Sequence, residues 1–281
     1  MTGLQRRRKA VNFSALAMAY LAMAFGLFFL GAIFWTLIKN GLPALSARIF
    51  TKETPPPGEA GGLRNAIVGS LFLTGTATLI GTPIGVLAGT YVAEFNDKPR
   101  LVNVIRFLNE ILLSAPSIVI GFLIYALIVA RAGHFSGWAG AAALTMILVP
   151  VVITSTENML KMVPAHLREA AAALGAPRWR VIWSISYRCA KTGILTGVLL
   201  AIARISGETA PLLFTSLNNQ FWSTNMSRPM ASLPIVIFQF AMSPYNDWQH
   251  LAWAGALLIT LSVLALNGLA RLFGRSNQGL F

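Results

Sequence analysis

The stretch ARISGETAPLLF, Ala203 to Phe214, places Arg204 and Glu208 four residues apart inside an apolar run, with the hydroxyl of Thr209 beside them. A charged side chain near a bilayer centre costs on the order of 2.5 to 3.5 kcal/mol on insertion scales, so the pair demands compensation. At i and i+4 of a helix the two lie on one face and can pair directly. Two roles suit such a pair. One is a buried ion pair that fixes packing. The other is a pathway element in which Arg204 meets an anion in transit and Glu208 tunes it, since a permanently charged, bidentate guanidinium matches an oxyanion. Arg204, Glu208 and Thr209 are therefore the candidate substrate-pathway residues. Gly207 and Pro211 flank them, and Pro211 lacks the amide hydrogen that would bond back to Gly207, so a kink is expected there.

Other chemistries find little support in the residues. His134, His166 and His250 are scattered without metal-ligand spacing, Ser206 has no evident base, and no metal site is expected. Cys189 is the single cysteine, which excludes an intrachain disulfide and a cysteine metal cluster. No Gly-x-x-x-x-Gly-Lys-Ser/Thr motif occurs, so any ATP is expected on another chain and no cofactor on this one.

The elements that must position the pair are membrane spans. Of 281 residues, 56% are apolar and 11% charged, against about a quarter charged in soluble domains. The expected fold is an all-α integral membrane protein, one transmembrane unit over residues 1–281. Apolar segments long enough to cross a core of about 30 Å run over residues 15–38, 66–93, 111–130, 138–156, 192–215 and 251–270, six in all. The first follows Arg6-Arg7-Arg8-Lys9 as a signal peptide would, but its length of about 36 Å as a helix exceeds a signal h-region, so it is expected to stay as a span. Ser232 to Ala241, SLPIVIFQFA, is too short to cross and is expected to be interfacial or re-entrant.

Basic residues choose the orientation. With both termini inside, the inner segments hold Arg6, Arg7, Arg8, Lys9, Lys98, Arg100, Arg106, Lys161, Arg168, Arg178, Arg180, Arg188, Lys191, Arg271 and Arg275. The outer ones hold Lys39, Arg48, Lys52, Arg64, Arg131 and Arg228. This asymmetry obeys the positive-inside rule and explains most of the net charge of +13 without nucleic acid. The outer loop 39–65, with Pro55-Pro56-Pro57-Gly58, reads as an extended, solvated connector. Gly81, Gly85 and Gly89 in the second span suit close helix packing. Ser114-Ala115-Pro116-Ser117 gives the third span a proline-interrupted start.

The inner loop 157–191 contains VPAHLREAAAALGAPRWRVIWSISYRC. Pro164 suits a first helical turn, Ala170 to Ala173 are strong helix formers, Gly175 suits the position past the end, and Pro177 opens a second short helix through Trp183. Two readings fit this hairpin: an alanine-faced knob that docks in another protein's groove, or an amphipathic segment resting on lipid by Trp179 and Trp183.

Glu169-Ala170-Ala171, then Gly175, Ile182 and Ile185, resemble the EAA loop of ABC-importer permeases, which inserts into the cytoplasmic ATPase. That resemblance implies a type I ABC-importer permease fold and makes Glu169, Ala170, Ala171 and Gly175 the candidate ATPase-coupling residues. It departs where the family reads Leu-Pro and this chain has Tyr187-Arg188. The run RISGETAPLLF, with Thr156-Glu157-Asn158-Met159-Leu160, Asn219-Gln220-Phe221-Trp222 and Phe240-Ala241-Met242-Ser243-Pro244, is similar to the permease family of bacterial phosphate ABC importers, PstA type. This implies an inner-membrane subunit that is no enzyme, a PstC-like permease as heterodimer partner, a PstB-like ATPase dimer carrying ATP and Mg, and a PstS-like phosphate-binding protein. Family members often carry arginine just before a Thr-Thr-Glu-Asn-Met-Leu motif, which here reads Ser155-Thr156-Glu157-Asn158-Met159-Leu160 with Thr154 before it. Another oxyanion, phosphonate or sulfate, is the alternative substrate. An ATP-independent ion-coupled carrier is the alternative class, which would call for internal repeats and more intramembrane carboxylates.

Overall fold

The structure is a computed structural model that describes residues 3–95 and 99–275. It is helical, with no strand among the described residues. The elements are α1 (Gly3–Ala44), α2 (Arg48–Thr51), α3 (Arg64–Glu94), α4 (Pro99–Ser114), α5 (Ser117–Ile124), α6 (Ala130–Ala132), α7 (Gly137–Lys161), α8 (Ala165–Ala173), α9 (Arg178–Val181), α10 (Tyr187–Ser206), α11 (Ala210–Leu213), α12 (Leu233–Ala241) and α13 (Asn246–Arg275). Turns of π-helix, Tyr125–Val129 and Ile182–Ser186, join α5 to α6 and α9 to α10 without interrupting either rod. Lys98, counted above among the inner basic residues, lies outside the described residues.

Among the described residues, five helices are long and apolar enough to cross a membrane, and a sixth crossing results if the bent pair α4 and α5–α6 counts as one. Helix α7 is the axis: 61% of its most apolar window is buried, against 22% for the corresponding windows of α3 and α13. In lipid no hydrophobic force draws helices together, so close approach must come from small residues. Gly81, Gly85 and Gly89 supply it, since a Cβ there would stand 2.8 Å from Leu148 Cδ2, 2.7 Å from Val152 Cβ and 2.7 Å from the Ile153 carbonyl. The core formed around this seam includes Leu73, Leu144, Leu148, Val152, Ala201 and Ile205. Helix α13 closes the other flank against α10 and α12, and α1 packs on it at the edge, where Gly41 meets Leu257 and the Trp253 carbonyl. Most apolar side chains of α1 are exposed in the isolated chain.

The third expected span, 111–130, is not one straight helix. The chain breaks at Ala115–Pro116, where the helix direction bends by 107°. Proline at 116 denies an amide to the preceding turn and forces Ala115 out of the helical region. Helix α4 therefore leaves the bundle direction. Leu101, Val104, Phe107 and Leu108 are exposed, while Val102 and Asn109 are buried. The crossing arm, residues 117–132, is left with only about 24 Å of rise.

The fifth expected span, 192–215, is also corrected. The helix continuous with the preceding loop begins at Arg178 and ends at Ser206, and the short helix expected through Trp183 is its first turns. A π turn absorbs the junction, so Tyr187-Arg188 continues the helix.

The outer loop is pinned down rather than a free connector. Asn65 Oδ1 accepts from the Thr54 amide at 3.2 Å and its hydroxyl at 2.6 Å, and Asn65 Nδ2 donates to the carbonyls of Asn219 and Gln220. Trp248 Nε1 donates to the Pro55 carbonyl at 3.2 Å. Pro56 to Ala60 form an exposed tip. SLPIVIFQFA forms the nine-residue α12, anchored by the Leu233 amide on Ser70 Oγ at 2.8 Å and by Phe240 stacked on Trp248.

Candidate functional site

Arg204 lies in the last turn of α10, and the helix is closed at Gly207, whose amide donates to the carbonyls of Arg204 and Ile205. Glu208 and Thr209 follow in the break, and Thr209 stands at the N-terminal cap of α11 without a side-chain cap bond. The kink expected between Gly207 and Pro211 is thus a full interruption. The missing amide of Pro211 starts it, and tertiary packing holds it. Pro211 packs against Gly121 of α5 so closely that a Cβ on that glycine would come within 2.7 Å of the proline Cα. Phe122 stacks on Phe214 at 4.3 Å between ring centroids. The short α11 is held in this position, and α10 cannot continue through it.

The break changes the electrostatics of the pair. Arg204 and Glu208 do not share a helical face, and no ion pair joins them. Arg204 is exposed on the surface of the chain, Glu208 and Thr209 are half-buried, and neither charged group is engaged by a hydrogen bond among the described residues. The packing role of a buried ion pair is therefore not filled. What remains is a guanidinium held at a helix break on an outward face, with a carboxylate and a hydroxyl close along the chain.

The second candidate group, Glu169, Ala170, Ala171 and Gly175, lies on α8 and its end. Pro164 caps the start, and Gly175 adopts φ +80°, a left-handed conformation that a residue with a Cβ adopts at a cost. The Gly175 amide donates to Ala172 and the Ala176 amide to Ala171, which satisfies the last carbonyls in a Schellman closure. Glu169, Ala170, Ala172 and Ala173 are exposed, and Leu174 is 90% exposed at the tip. The two groups stand at opposite ends of the rod that runs from Arg178 to Ser206.

Two polar clusters escaped the reading of the sequence. Arg106 Nε and Nη2 reach Glu157 Oε1 at 3.1 and 2.9 Å, and Lys161 reaches the same oxygen at 2.5 Å. The Glu157–Lys161 spacing of i, i+4 was a signal for one of these bonds; nothing local announces Arg106. One turn along α4, Asn109 donates to the Thr154 hydroxyl at 2.8 Å. Thr154 is thus hydrogen-bonded, and Arg106 brings a cation to the same stretch of α7. In the second cluster Glu94, at the end of α3, pairs with Arg168 of α8 at 3.1 Å.

The profile of the family described as binding-protein-dependent transport system inner membrane component matches residues 81–278. The chain is 60% identical over 266 residues to the phosphate transport system permease protein PstA of Haemophilus influenzae, covering 95% of this chain and 94% of that one. It is 62% identical to the protein of the same name from Pasteurella multocida, with 95% of each covered. Among solved structures, a bacterial alginate ABC transporter superposes with a TM-score of 0.70 over 96% of both chains at 13% identity. The inward-facing MetNI methionine ABC transporter superposes with a TM-score of 0.57 at 18% identity, covering 74% of this chain and 93% of that one. At these identities the likeness is one of fold, and the fold is that of an ABC-importer permease.

Proposed function

The chain belongs to the family of binding-protein-dependent transport system inner membrane components, and on that premise we propose how it works as the permease subunit of an ATP-driven importer of inorganic phosphate. It is a multi-pass inner-membrane protein and is not itself catalytic. A PstC-like second permease completes the translocation path, a PstB-like ATPase dimer hydrolyses ATP with Mg, and a PstS-like binding protein delivers phosphate from outside.

Both termini face the cytoplasm. Lys161, Arg168, Arg178, Arg180, Arg188 and Lys191 cluster around α8 and the start of α10, as the positive-inside rule requires of a cytoplasmic end. Helix α8 is the coupling helix. Its alanine face and the projecting Leu174 leave little side-chain entropy to lose on docking, and its one arginine, Arg168, is turned back onto α3 and α7, as is Arg178 of α9 onto α3.

The observation that carries the mechanism is the exposed, unpaired Arg204 at the break after α10. Lipid would penalise a bare guanidinium there, so this face borders an aqueous path shared with the partner permease. Arg204 offers bidentate N–H donors to a phosphate oxygen pair. Glu208 and the Thr209 hydroxyl lie alongside, the carboxylate keeping the site from holding the anion too tightly and the hydroxyl adding a neutral donor. Along the chain, α8 is connected to this site by the helix from Arg178 to Ser206, which carries the π turn Ile182–Ser186 near its start.

The test is co-purification of the chain from its native membrane followed by transport in vesicles. An ATPase and a phosphate-binding protein in the preparation, with ATP-driven phosphate uptake, are expected. Uptake that favours phosphonate or sulfate, or proceeds without ATP, contradicts the assignment.

A further inference from the structure

We propose that Glu94 is the positioning residue that fastens the ATPase-docking hairpin to α3, so that hairpin and α3 move as one body; this rests on the docking role given to α8 above. Glu94 is the last residue of α3, and its side chain is only 8% exposed. Both legs of the hairpin hold it. Arg168, on α8, pairs with the carboxylate at 3.1 Å and also donates to the carbonyl of Leu160 in the last turn of α7. Arg178, which begins the return leg, donates to the backbone carbonyl of Glu94 and lies over the ring of Phe95 at 4.4 Å. One turn earlier on the same face of α3, the Thr90 hydroxyl meets the Tyr187 hydroxyl at 2.9 Å.

The covalent connections of the hairpin are weak levers by comparison. From α7 it hangs on Met162-Val163-Pro164, and into α10 it passes through the π turn Ile182–Ser186. A π turn is a local irregularity of the helix, frequent at functional sites. Without Glu94, a push on α8 would be taken up in these two joints. With it, the push reaches α3 directly. Helix α3 is locked in turn to α7 by the seam of Gly81, Gly85 and Gly89. The buried carboxylate has no other assigned work: Oε1 accepts no hydrogen bond from any described residue, so the Arg168 ion pair is its compensation.

The experiment compares the assembled transporter, with its partner permease, ATPase and binding protein, in vesicles carrying this chain as wild type, Glu94→Gln, Arg168→Gln, or the charge-exchanged pair Glu94→Arg with Arg168→Glu. ATPase retention, ATP hydrolysis and phosphate moved per ATP are read on each. Both glutamine variants are expected to keep the ATPase and its hydrolysis while phosphate moved per ATP falls severalfold, and the exchanged pair to recover most of the loss. A purely structural contact would lower yield without changing that ratio. Should Glu94→Gln fail to accumulate, Arg168→Gln, at a partly exposed guanidinium, gives the same reading. A wild-type ratio in the glutamine variants, or no recovery in the exchanged pair, overturns the proposal. Failure of the docking role itself shows separately, as an ATPase that stays bound to Glu169→Lys.

Discussion

Arg204 and Glu208 are separated by a helix end: α10 closes at Ser206 through the Gly207 amide, and the two charges four residues apart form no ion pair. Each is therefore available to something other than its neighbour, and their substitutions should not behave alike. Glu208→Gln removes a repulsive charge beside the path and is expected to reduce turnover by less than Arg204→Gln does. Initial uptake rates at matched protein levels check the order. Equal and non-additive losses in the singles and the double variant would indicate a coupled pair.

The α3–α7 seam sets the packing of the bundle. Gly85→Leu puts side-chain atoms where Val152 Cβ already stands 2.7 Å from the position of a Cβ. Overpacking of this kind costs about 1–3 kcal/mol, and a lower Tm in detergent is expected. Gly26→Leu on α1, with open space around it, serves as the control and should leave Tm unchanged.

Glu157 holds two cations through one nearly buried oxygen. Glu157→Gln is expected to lower stability by about 1.5–3 kcal/mol, the range for hydrogen bonds to charged groups. Lys161→Met, at a half-exposed i, i+4 partner, should cost about 0.5 kcal/mol or less. Denaturant unfolding of the purified chain in detergent separates them. Similar losses in both would show that Arg106 contributes little.

Leu174 projects from α8 at 90% exposure and has no packing role among the described residues. Leu174→Asp and Glu169→Lys are both expected to release the ATPase in pull-downs while Tm stays at the wild-type value. An ATPase that remains bound would favour a helix resting on lipid.

Much of this architecture was legible because it depends on local chemistry. Apolar runs of span length, the glycine spacing of α3, and the Pro164, Gly175 and Pro177 punctuation of the hairpin all act within a turn or two of themselves. The missed features are those settled by distant residues. Pro116 announced an interruption, but the 107° turn is an arrangement of whole helices. Gly207 and Pro211 announced a kink, yet the end of α10 depends on Gly121 admitting Pro211 from another helix. The Pro-rich outer loop read as solvated, and its anchoring comes from Asn65 and Trp248, one of them 193 residues away from its partner. Arg106 and Glu157 meet across 51 residues, beyond the reach of any spacing rule.

The central claim is that the exposed guanidinium of Arg204 contacts phosphate in the path. It is tested most directly by ATP-driven phosphate uptake into vesicles carrying the assembled transporter with Arg204→Gln, at wild-type levels of chain and bound ATPase. The account predicts that uptake is abolished while the ATPase stays attached; uptake at the wild-type rate would contradict it.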